Sequence, residues 1–174
     1  MFLSPVQILK ELPLPERAQV GDFGAGSGQY ALALAERLGS QGTIYALDAF
    51  GPNLDLMRQG AEKYGSAFYT LESDLNRHIP LKTNLLNVAI VANTLHQLTD
   101  RERFVSELAR VLEPGGKALV VDWAGSFRNM GPPEGSVVTP GEAVRLFRSA
   151  GFSTGEMLPA GTHHFAFVAT SHTS

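Results

Sequence analysis

The stretch VGDFGAGSGQY, residues 20–30, starts like a buried strand and finishes like the beginning of a helix. Gly24, Gly26 and Gly28 alternate through the point where the predicted strand meets the predicted helix. Glycine permits positive φ and lets a ligand approach the backbone N–H groups at a helix start. Three alternating glycines cost backbone entropy that a plain tight turn does not need. The stretch therefore favours a ligand-binding turn over a turn that only redirects the chain.

Short apolar runs and helical stretches alternate on both sides of this turn. Strands are predicted at residues 18–23, 42–48, 66–72, 87–93, 117–123, 152–158 and 164–170. Helices are predicted at residues 4–12 and 28–38, after Pro52, after Thr99, and at residues 139–150. Apolar strands that alternate with helices are typical of a buried parallel sheet. We therefore predict an α/β fold with one domain over residues 1–174, built on a doubly wound, mostly parallel seven-stranded sheet with an antiparallel edge strand.

Two of the predicted helix starts carry the residue pattern of a capping box. Thr99 with Glu102, and Thr139 with Glu142, have the spacing at which each side chain accepts a hydrogen bond from the other residue's backbone N–H. Both helices are therefore predicted to begin with a capping box.

The composition of the 174-residue chain excludes several classes of protein. Apolar residues make up 44% of it, but no apolar run is long enough to cross a bilayer, so no membrane span is expected. Cysteine is absent, which excludes disulfides and thiolate metal sites. The net charge is −3 without a stripe of Lys and Arg, so no nucleic-acid partner is expected. The N-terminus lacks the pattern of a secretion signal, and a cytoplasmic location is expected.

The spacing of the glycines separates two classes of ligand. A dinucleotide fingerprint counted from Gly24 requires a third glycine where Gln29 stands. The pattern is instead D-x-G-x-G-x-G from Asp22 to Gly28, and a carboxylate at the strand end suits a ligand with an ammonium group. Asp48 lies about 20 residues beyond the turn, so a nicotinamide-dependent oxidoreductase remains an alternative.

The motifs along the chain resemble those of the class I S-adenosylmethionine-dependent methyltransferases. Besides DFGAGSG, they are IYALD (44–48), LESDLN (71–76), VANTLHQL (91–98) and LARVLEPGGKALVVDW (108–123), in the family's order. The VDW…GPP run further resembles a small subgroup related to the quinone-biosynthesis methyltransferases. Asn87 departs from the pattern, because many members have an acid there. The resemblance implies a Rossmann-like fold, S-adenosylmethionine as cofactor, S-adenosylhomocysteine as product and methyl transfer as the reaction.

The resemblance also implies which residues bind the cofactor. The glycine turn receives the amino-acid end, Asp48 accepts hydrogen bonds from both ribose hydroxyls, and Asp74 reaches the adenine amino group. Tyr30 covers the methionine part, and Leu75 offers its backbone N–H to the adenine. The full implied set is Asp22, Phe23, Gly24, Ala25, Gly26, Gly28, Tyr30, Asp48, Ala49, Asp74, Leu75 and Asn93.

No motif marks the residues that would bind the methyl acceptor, so individual residues are considered as candidates. A general base is needed only if the acceptor loses a proton, and His96, after the fourth predicted strand, is the candidate. A structural histidine is the alternative. Asp122, Trp123 and Arg128 are the further candidates for substrate binding. His163 and His164 are neighbours on a predicted strand and point to opposite faces, so no metal site is expected there or elsewhere.

Few residues are left over to close an acceptor pocket. The roof can come from the N-terminal segment, from residues 124–138, or from a second copy of the chain, so the pocket is expected to be open or completed by a homodimer. A small-molecule acceptor is predicted, with transfer to O, N, S or C left open. A non-catalytic module that binds S-adenosylmethionine is the remaining alternative.

Overall fold

The computed structural model describes residues 4–128 and 130–172, so residues 1–3 of the N-terminal stretch and Asn129 of the long loop lie outside it. Its strands are β1 (Gln19–Phe23), β2 (Thr43–Asp48), β3 (Ala67–Glu72), β4 (Leu86–Ala92), β5 (Leu112–Trp123), β6 (Phe152–Leu158) and β7 (His164–Ser171). They form one sheet in the order β3-β2-β1-β4-β5-β7-β6. The first five strands are parallel, and β7 runs antiparallel to both β5 and β6. The predicted fold class is confirmed.

Helices cover both faces of the sheet. They are α1 (Pro5–Ile8), α2 (Gln29–Leu38), α3 (Gly51–Ala61), α4 (Arg101–Val111) and α5 (Pro140–Ser149). Successive strand residues point to opposite faces, so Val20 and Ile90 pack with α1, α2 and α3, whereas Phe23 and Val91 pack with α4 and α5. Within the part of the chain that the structure describes, no helix has the length and apolar character needed to cross a membrane.

The strand order places a crevice at the carboxyl end of β1. The chain moves outward from β1 to β2 and β3, then returns to pair β4 with the other side of β1. The connections after β1 and β4 therefore leave toward opposite faces of the sheet. Open α/β sheets bind ligands in the crevice that opens at such a switch point. The glycine turn of residues 24–28 lies at this point.

One of the two predicted capping boxes is present. Thr139 accepts a hydrogen bond from the N–H of Glu142, and Glu142 accepts one from the N–H of Thr139, as predicted. The capping box at Thr99 is wrong, because α4 begins one residue later and Asp100 caps it by accepting from the N–H of Arg103. Thr99 instead donates its N–H and hydroxyl to Oδ1 of Asn76, so its side chain is committed to a neighbouring loop.

The fifth strand begins earlier than predicted. The sequence predicts a strand that starts at Lys117, but β5 starts at Leu112. Leu86 pairs with Leu112 and Val88 with Lys117, so residues 113–116 bulge opposite the single residue Asn87. The Asn87 side chain accepts from the N–H of Gln19 and donates to Glu113, at 2.7 Å each. It therefore ties β1, β4 and the bulge together at the end of the sheet opposite the glycine turn.

The position of the α4 cap gives a first prediction. Asp100→Ala removes the side chain that accepts the N–H of Arg103, and should lower the free energy of unfolding by about 1 kcal/mol. Thr99→Ala removes only an exposed hydroxyl contact with Asn76, and should cost less than half as much. Urea unfolding of both variants measures the difference. Equal losses would mean that Thr99 shares the capping role.

Candidate functional site

The three glycines of the turn have positive φ for different reasons. Their φ angles are 75°, 53° and 80° at Gly24, Gly26 and Gly28. A Cβ on Gly24 would lie 2.6 Å from Oγ1 of Thr94, and one on Gly28 would lie 2.3 Å from Cγ of Met57. A Cβ on Gly26 would meet nothing closer than a backbone oxygen at 3.9 Å. Close packing therefore requires two of these glycines, while Gly26 faces open space at the crevice.

A cleft of about 340 Å³ opens beside Gly26, within the size range of ligand pockets. We refer to it as the first cleft. The residues that line it are Gly24, Gly26, Asp48, Ala49, Asn53, Ser73, Asp74, Leu75, Asn76, Thr94, Gln97 and Leu98. The residues after β1, β2, β3 and β4 thus converge on one space at the carboxyl edge of the sheet.

Asp48 holds the floor of the first cleft. It ends β2, and its Oδ2 accepts the N–H of Gly26 at 2.7 Å. Its Oδ1 accepts the N–H of Phe50 at 2.9 Å, just before α3. The carboxylate therefore joins the turn after β1 to the turn after β2, and it still lines the cleft.

Asp74 lies across the cleft in the turn after β3. Its Oδ1 accepts the N–H of Asn76 at 3.0 Å, and its carboxylate lies 3.4 Å from the guanidinium of Arg77. Leu75 is buried, and its backbone carbonyl accepts a hydrogen bond from Arg103 of α4. The turn is thus anchored from below, with Asp74 left at the exposed rim.

Asp22 lies beneath the glycine turn and is only 2% exposed. Burial raises its pKa to about 7, the N–H of Ala31 opposes this by donating to it, and the charge of Asp48 adds to it. Burial also raises the pKa of the Tyr30 phenol, with a further contribution from Asp22. Within the described residues, Oδ2 of Asp22 has no hydrogen-bond partner. The buried Oδ2 of Asp22 is therefore available to accept a hydrogen bond beneath the glycine turn, and burial disfavours its negative charge.

Asn93 provides a second buried acceptor at the end of the neighbouring strand. Its backbone is left-handed, with φ of 55°, and its Oδ1 has no partner in residues 4–128 and 130–172. Because β1 and β4 are paired, Asn93 follows β4 at the level where the glycine turn follows β1. Two unpartnered oxygens suit a donor such as an ammonium group, and the Asp48 carboxylate suits hydroxyl donors. The residues therefore fit the cofactor that the sequence resemblance implies.

A second cleft, of about 520 Å³, adjoins the first. It is lined by His96, Gln97, Trp123, Gly131, Pro132, Pro133 and Ser136. Gln97 lines both clefts, and its side-chain amide donates to the carbonyl of Asn93 at 2.7 Å. His96 and Gln97 belong to a 3₁₀ turn, Leu95–Gln97, that follows β4. Thr94 holds this turn down by donating its hydroxyl to the carbonyl of Phe23 at 2.8 Å.

Asp122 and His96 form a close pair under the second cleft. Nδ1 of His96 lies 2.6 Å from Oδ1 of Asp122, and the N–H of His96 donates to Oδ2 at 3.2 Å. The N–H of Trp123 donates to Oδ1 at 2.8 Å. The sequence predicts that Asp122 binds the substrate, but the structure buries it completely, so its carboxylate contacts His96 and the backbone rather than the open cleft.

Aromatic rings surround Trp123 at the wall of the second cleft. Its ring centroid lies 6.4 Å from that of Phe127 and 4.3 Å from that of His164. Phe127 makes an edge contact with His163 at 4.8 Å. Phe127 also pairs with Met130 through backbone hydrogen bonds, which places the exposed Arg128 in the turn between them with φ of 39°. Arg128 lines neither cleft.

The structure gathers part of the predicted site and adds residues that the sequence reasoning missed. Predicted residues that line a cleft are Gly24, Gly26, Asp48, Ala49, Asp74, Leu75, His96 and Trp123. Those that line neither cleft are Asp22, Phe23, Ala25, Gly28, Tyr30, Asn93, Asp122 and Arg128. The missed residues of the first cleft are Asn53, Ser73, Asn76, Thr94, Gln97 and Leu98. Three of these, Thr94, Gln97 and Leu98, belong to the motif VANTLHQL, and Ser73 and Asn76 belong to LESDLN, so all five could have been found there.

The sheet order and the glycine turn at its switch point define a Rossmann-like methyltransferase fold. A family model described as a methyltransferase domain matches residues 21–120. A crystal structure of an S-adenosylmethionine-dependent methyltransferase from Aquifex aeolicus is 30% identical, with a TM-score of 0.86 over 97% of this chain and 90% of that chain. This protein therefore belongs to the class I S-adenosylmethionine-dependent methyltransferase family.

Two curated relatives are longer than this chain. The 2-phytyl-1,4-naphtoquinone methyltransferase of Trichormus variabilis is 33% identical over 103 residues, which are 59% of this chain and 45% of that protein. The ubiquinone/menaquinone biosynthesis C-methyltransferase of Bordetella parapertussis is 30% identical over 117 residues, which are 66% of this chain and 44% of that protein. The match thus spans less than half of either relative.

The buried Asp22 predicts how stability depends on pH. Its pKa moves from 3.8 to about 7 on folding, so between these values the folded protein holds a proton that the unfolded chain has released. Stability therefore falls as the pH rises through this window. Asn does not ionise, so Asp22→Asn should lack this fall. The difference in free energy of unfolding, variant minus wild type, should therefore increase by about 2 kcal/mol between pH 5 and pH 8.

Urea unfolding of the ligand-free protein at both pH values measures this change. Asp55→Asn is the matched control, because Asp55 is exposed and pairs only with Arg58 on the surface of α3. The control should follow the wild-type pH dependence. If the free energy of unfolding changed by the same amount between pH 5 and pH 8 in Asp22→Asn and in the wild type, the raised pKa of Asp22 would be contradicted.

Proposed function

We propose that this protein binds S-adenosylmethionine in the first cleft and transfers its methyl group to a small molecule in the second. The observation that carries the proposal is that the two clefts meet at Gln97, directly after β4. A methyltransferase needs adjoining sites for donor and acceptor, because the acceptor atom must approach the methyl carbon in line with the carbon–sulfur bond. When bound, S-adenosylmethionine supplies a methyl group on a positively charged sulfur that keeps the electron pair of the broken bond.

Each part of the first cleft has a partner in the cofactor's chemistry. Asp48 receives the ribose hydroxyls, since a carboxylate is the strongest acceptor for paired hydroxyl donors. Asp74 and the N–H of Leu75 bind the adenine edge at the opposite rim. Asp22 and Asn93 receive the ammonium group, which supplies a donor to two buried oxygens that have no partner in the described residues.

The protein contributes mainly alignment to the reaction. Holding the acceptor beside the methyl group converts a bimolecular displacement into an effectively unimolecular one, worth up to about 7–11 kcal/mol. Gln97 fixes the boundary between the clefts through its hydrogen bond to Asn93. His96 faces the acceptor from the second cleft and is the candidate base for an acceptor that loses a proton.

The second cleft favours a flat apolar acceptor. Trp123 and the pair Pro132 and Pro133 provide apolar surfaces on which a planar ring can lie. The names of the two curated relatives concern quinone-type substrates, which agrees with such a ring. The residues at the mouth, including Gln97, Gly131 and Pro133, are exposed, so a second copy of the chain has room to complete the pocket. A homodimer and a cytoplasmic location remain predictions.

Asp48 gives the most direct test of cofactor binding. Asp48→Ala removes the acceptor of two ribose hydrogen bonds and should weaken the binding of S-adenosylmethionine by roughly 10²-fold. Isothermal titration calorimetry measures the affinity, and thermal unfolding checks that the variant folds without its contacts to Gly26 and Phe50. Asp55→Ala, at an exposed aspartate of the next helix, is the control and should bind as the wild type does.

The same titrations separate the alternatives. Binding of NADH in place of S-adenosylmethionine would contradict the proposal and indicate an oxidoreductase. Binding of S-adenosylmethionine without transfer to any acceptor in a panel that includes hydroxyl, amine and thiol compounds would indicate a non-catalytic module. An unchanged affinity in Asp48→Ala would contradict the assigned binding mode.

A further inference from the structure

The carboxylate of Asp122 is fully buried and receives three donors from the residues around it. Two of them are the backbone N–H groups of His96 and Trp123, at 3.2 and 2.8 Å. The third contact is to Nδ1 of His96, at 2.6 Å. Backbone N–H groups can only donate, so they fix both oxygens of Asp122 as acceptors.

This arrangement decides which ring nitrogen of His96 carries the proton. With Asp122 as acceptor, Nδ1 must donate to it, and the neutral imidazole then keeps its lone pair on Nε2. The register of the sheet supports the geometry, because Val121 pairs with Ala92 and the 3₁₀ turn folds His96 back over Asp122. The ring of His96 is only 14% exposed, so it is held between the carboxylate and the second cleft.

We propose that Asp122 is a positioning residue that holds His96 with its proton on Nδ1, so that Nε2 removes a hydroxyl proton from an aromatic acceptor in the second cleft. This inference rests on the proposed function and narrows it to acceptors that must lose a proton. A neutral amine or thioether attacks through its own lone pair and does not need a base to begin. A buried carboxylate beside the imidazole stabilises the positive charge that forms when Nε2 takes up a proton.

The step balances in atoms and charge. The acceptor hydroxyl gives its proton to Nε2 of His96, and the electron pair that this frees on the acceptor forms the new bond to the methyl carbon. The carbon–sulfur bond breaks with its electron pair on sulfur. His96 becomes an imidazolium, whose charge the carboxylate of Asp122 balances within hydrogen-bond distance. After this proton transfer the methyl group bonds either to the oxygen or to a ring carbon beside it. Transfer to carbon is completed when that carbon loses its hydrogen as a proton and the oxygen regains one, which restores the aromatic ring.

Among the described residues, two further histidines lie close to the pair. His164 on β7 stacks against Trp123, and burial lowers its pKa. His163 precedes it and contacts Phe127. His164 interacts electrostatically with both Asp122 and His96, so the charge of His164 acts on the pair. The pH dependence of the reaction must therefore be measured in a variant of His96 as well as in the wild type.

Nuclear magnetic resonance of histidine labelled with nitrogen-15 tests the positioning role without cofactor or acceptor. The wild type should show His96 with its proton on Nδ1, and Asp122→Asn should lose that preference. His172→Gln, at an exposed histidine bonded to Ser153, assigns one signal and should leave the His96 signals unchanged. A proton on Nε2 in the wild type overturns the proposal, and so does an unchanged His96 tautomer in Asp122→Asn. The wild-type spectrum decides the tautomer even if Asp122→Asn fails to fold.

Turnover measurements test the chemistry with catechol, 4-nitrocatechol and 1,4-naphthohydroquinone as acceptors. His96→Gln should lower kcat with the unactivated acceptors by on the order of 10²–10⁴, and Asp122→Asn by more than about tenfold. Both should leave the affinity for S-adenosylmethionine unchanged. The nitro compound ionises on its own near neutral pH, so it should recover most of the lost rate.

The outcomes keep the two proposals apart. Failure to bind S-adenosylmethionine overturns the proposed function, whatever the tautomer of His96. Retention of the cofactor without methylation of any of the three hydroxylated probes overturns the hydroxyl acceptor class alone. Equal losses with catechol and 4-nitrocatechol indicate that Asp122 supports the fold and does not position a base.

Discussion

The hydrogen bond from the N–H of Gly26 to the carboxylate of Asp48 joins the turns that leave β1 and β2, and the carboxyl edge of the sheet is arranged around it. The backbone at Gly26 is left-handed, with φ of 53°, a conformation that favours glycine. The hydrogen bond requires an acceptor at the last residue of β2. The adjacent N–H groups of Gly24 and Ala25 bind the carbonyl of Leu47, both at 2.9 Å, and hold the turn over β2. The first cleft exists because this turn is fixed.

Three aspartates, Asp22, Asp48 and Asp122, lie at the last or next-to-last position of a strand at this edge, and their surroundings give them three different properties. Asp48 binds two backbone N–H groups and remains accessible from the cleft. Asp122 binds two backbone N–H groups and an imidazole and is fully buried. Asp22 has a raised pKa because burial and the charge of Asp48 outweigh one N–H from Ala31. Desolvation raises the pKa of a carboxyl group, whereas hydrogen bonds donated to its charged form lower the pKa. The same residue type can therefore differ in charge and accessibility from one strand to the next.

The sequence predicts those features that depend on local pattern. Alternating apolar runs and the glycine turn are enough for the sheet, the helices and the location of the crevice, because strand and helix periods are local properties. Asp48 follows from the resemblance, since it ends a motif. His96 lies beside the second cleft because the motif that contains it leads out of β4.

Features that depend on tertiary contacts could not be predicted in this way. Thr99 has the right spacing for a cap, but the loop around Asn76 competes for its side chain. The bulge at the start of β5 lies opposite Asn87, whose side chain also contacts Gln19 on the adjacent strand β1. Asn53 enters the first cleft from α3, where no motif marks it. The burial of Asp122 beneath His96 depends on the fold of the turn after β4.

A crystal structure with S-adenosylhomocysteine tests the central claim most directly. The account predicts that the ribose hydroxyls lie within hydrogen-bond distance of Asp48, that the ammonium group approaches Asp22 and Asn93, and that the sulfur points toward His96 across Gln97. A ligand bound away from Gly26 and Asp48, or one whose sulfur points away from the second cleft, would contradict it.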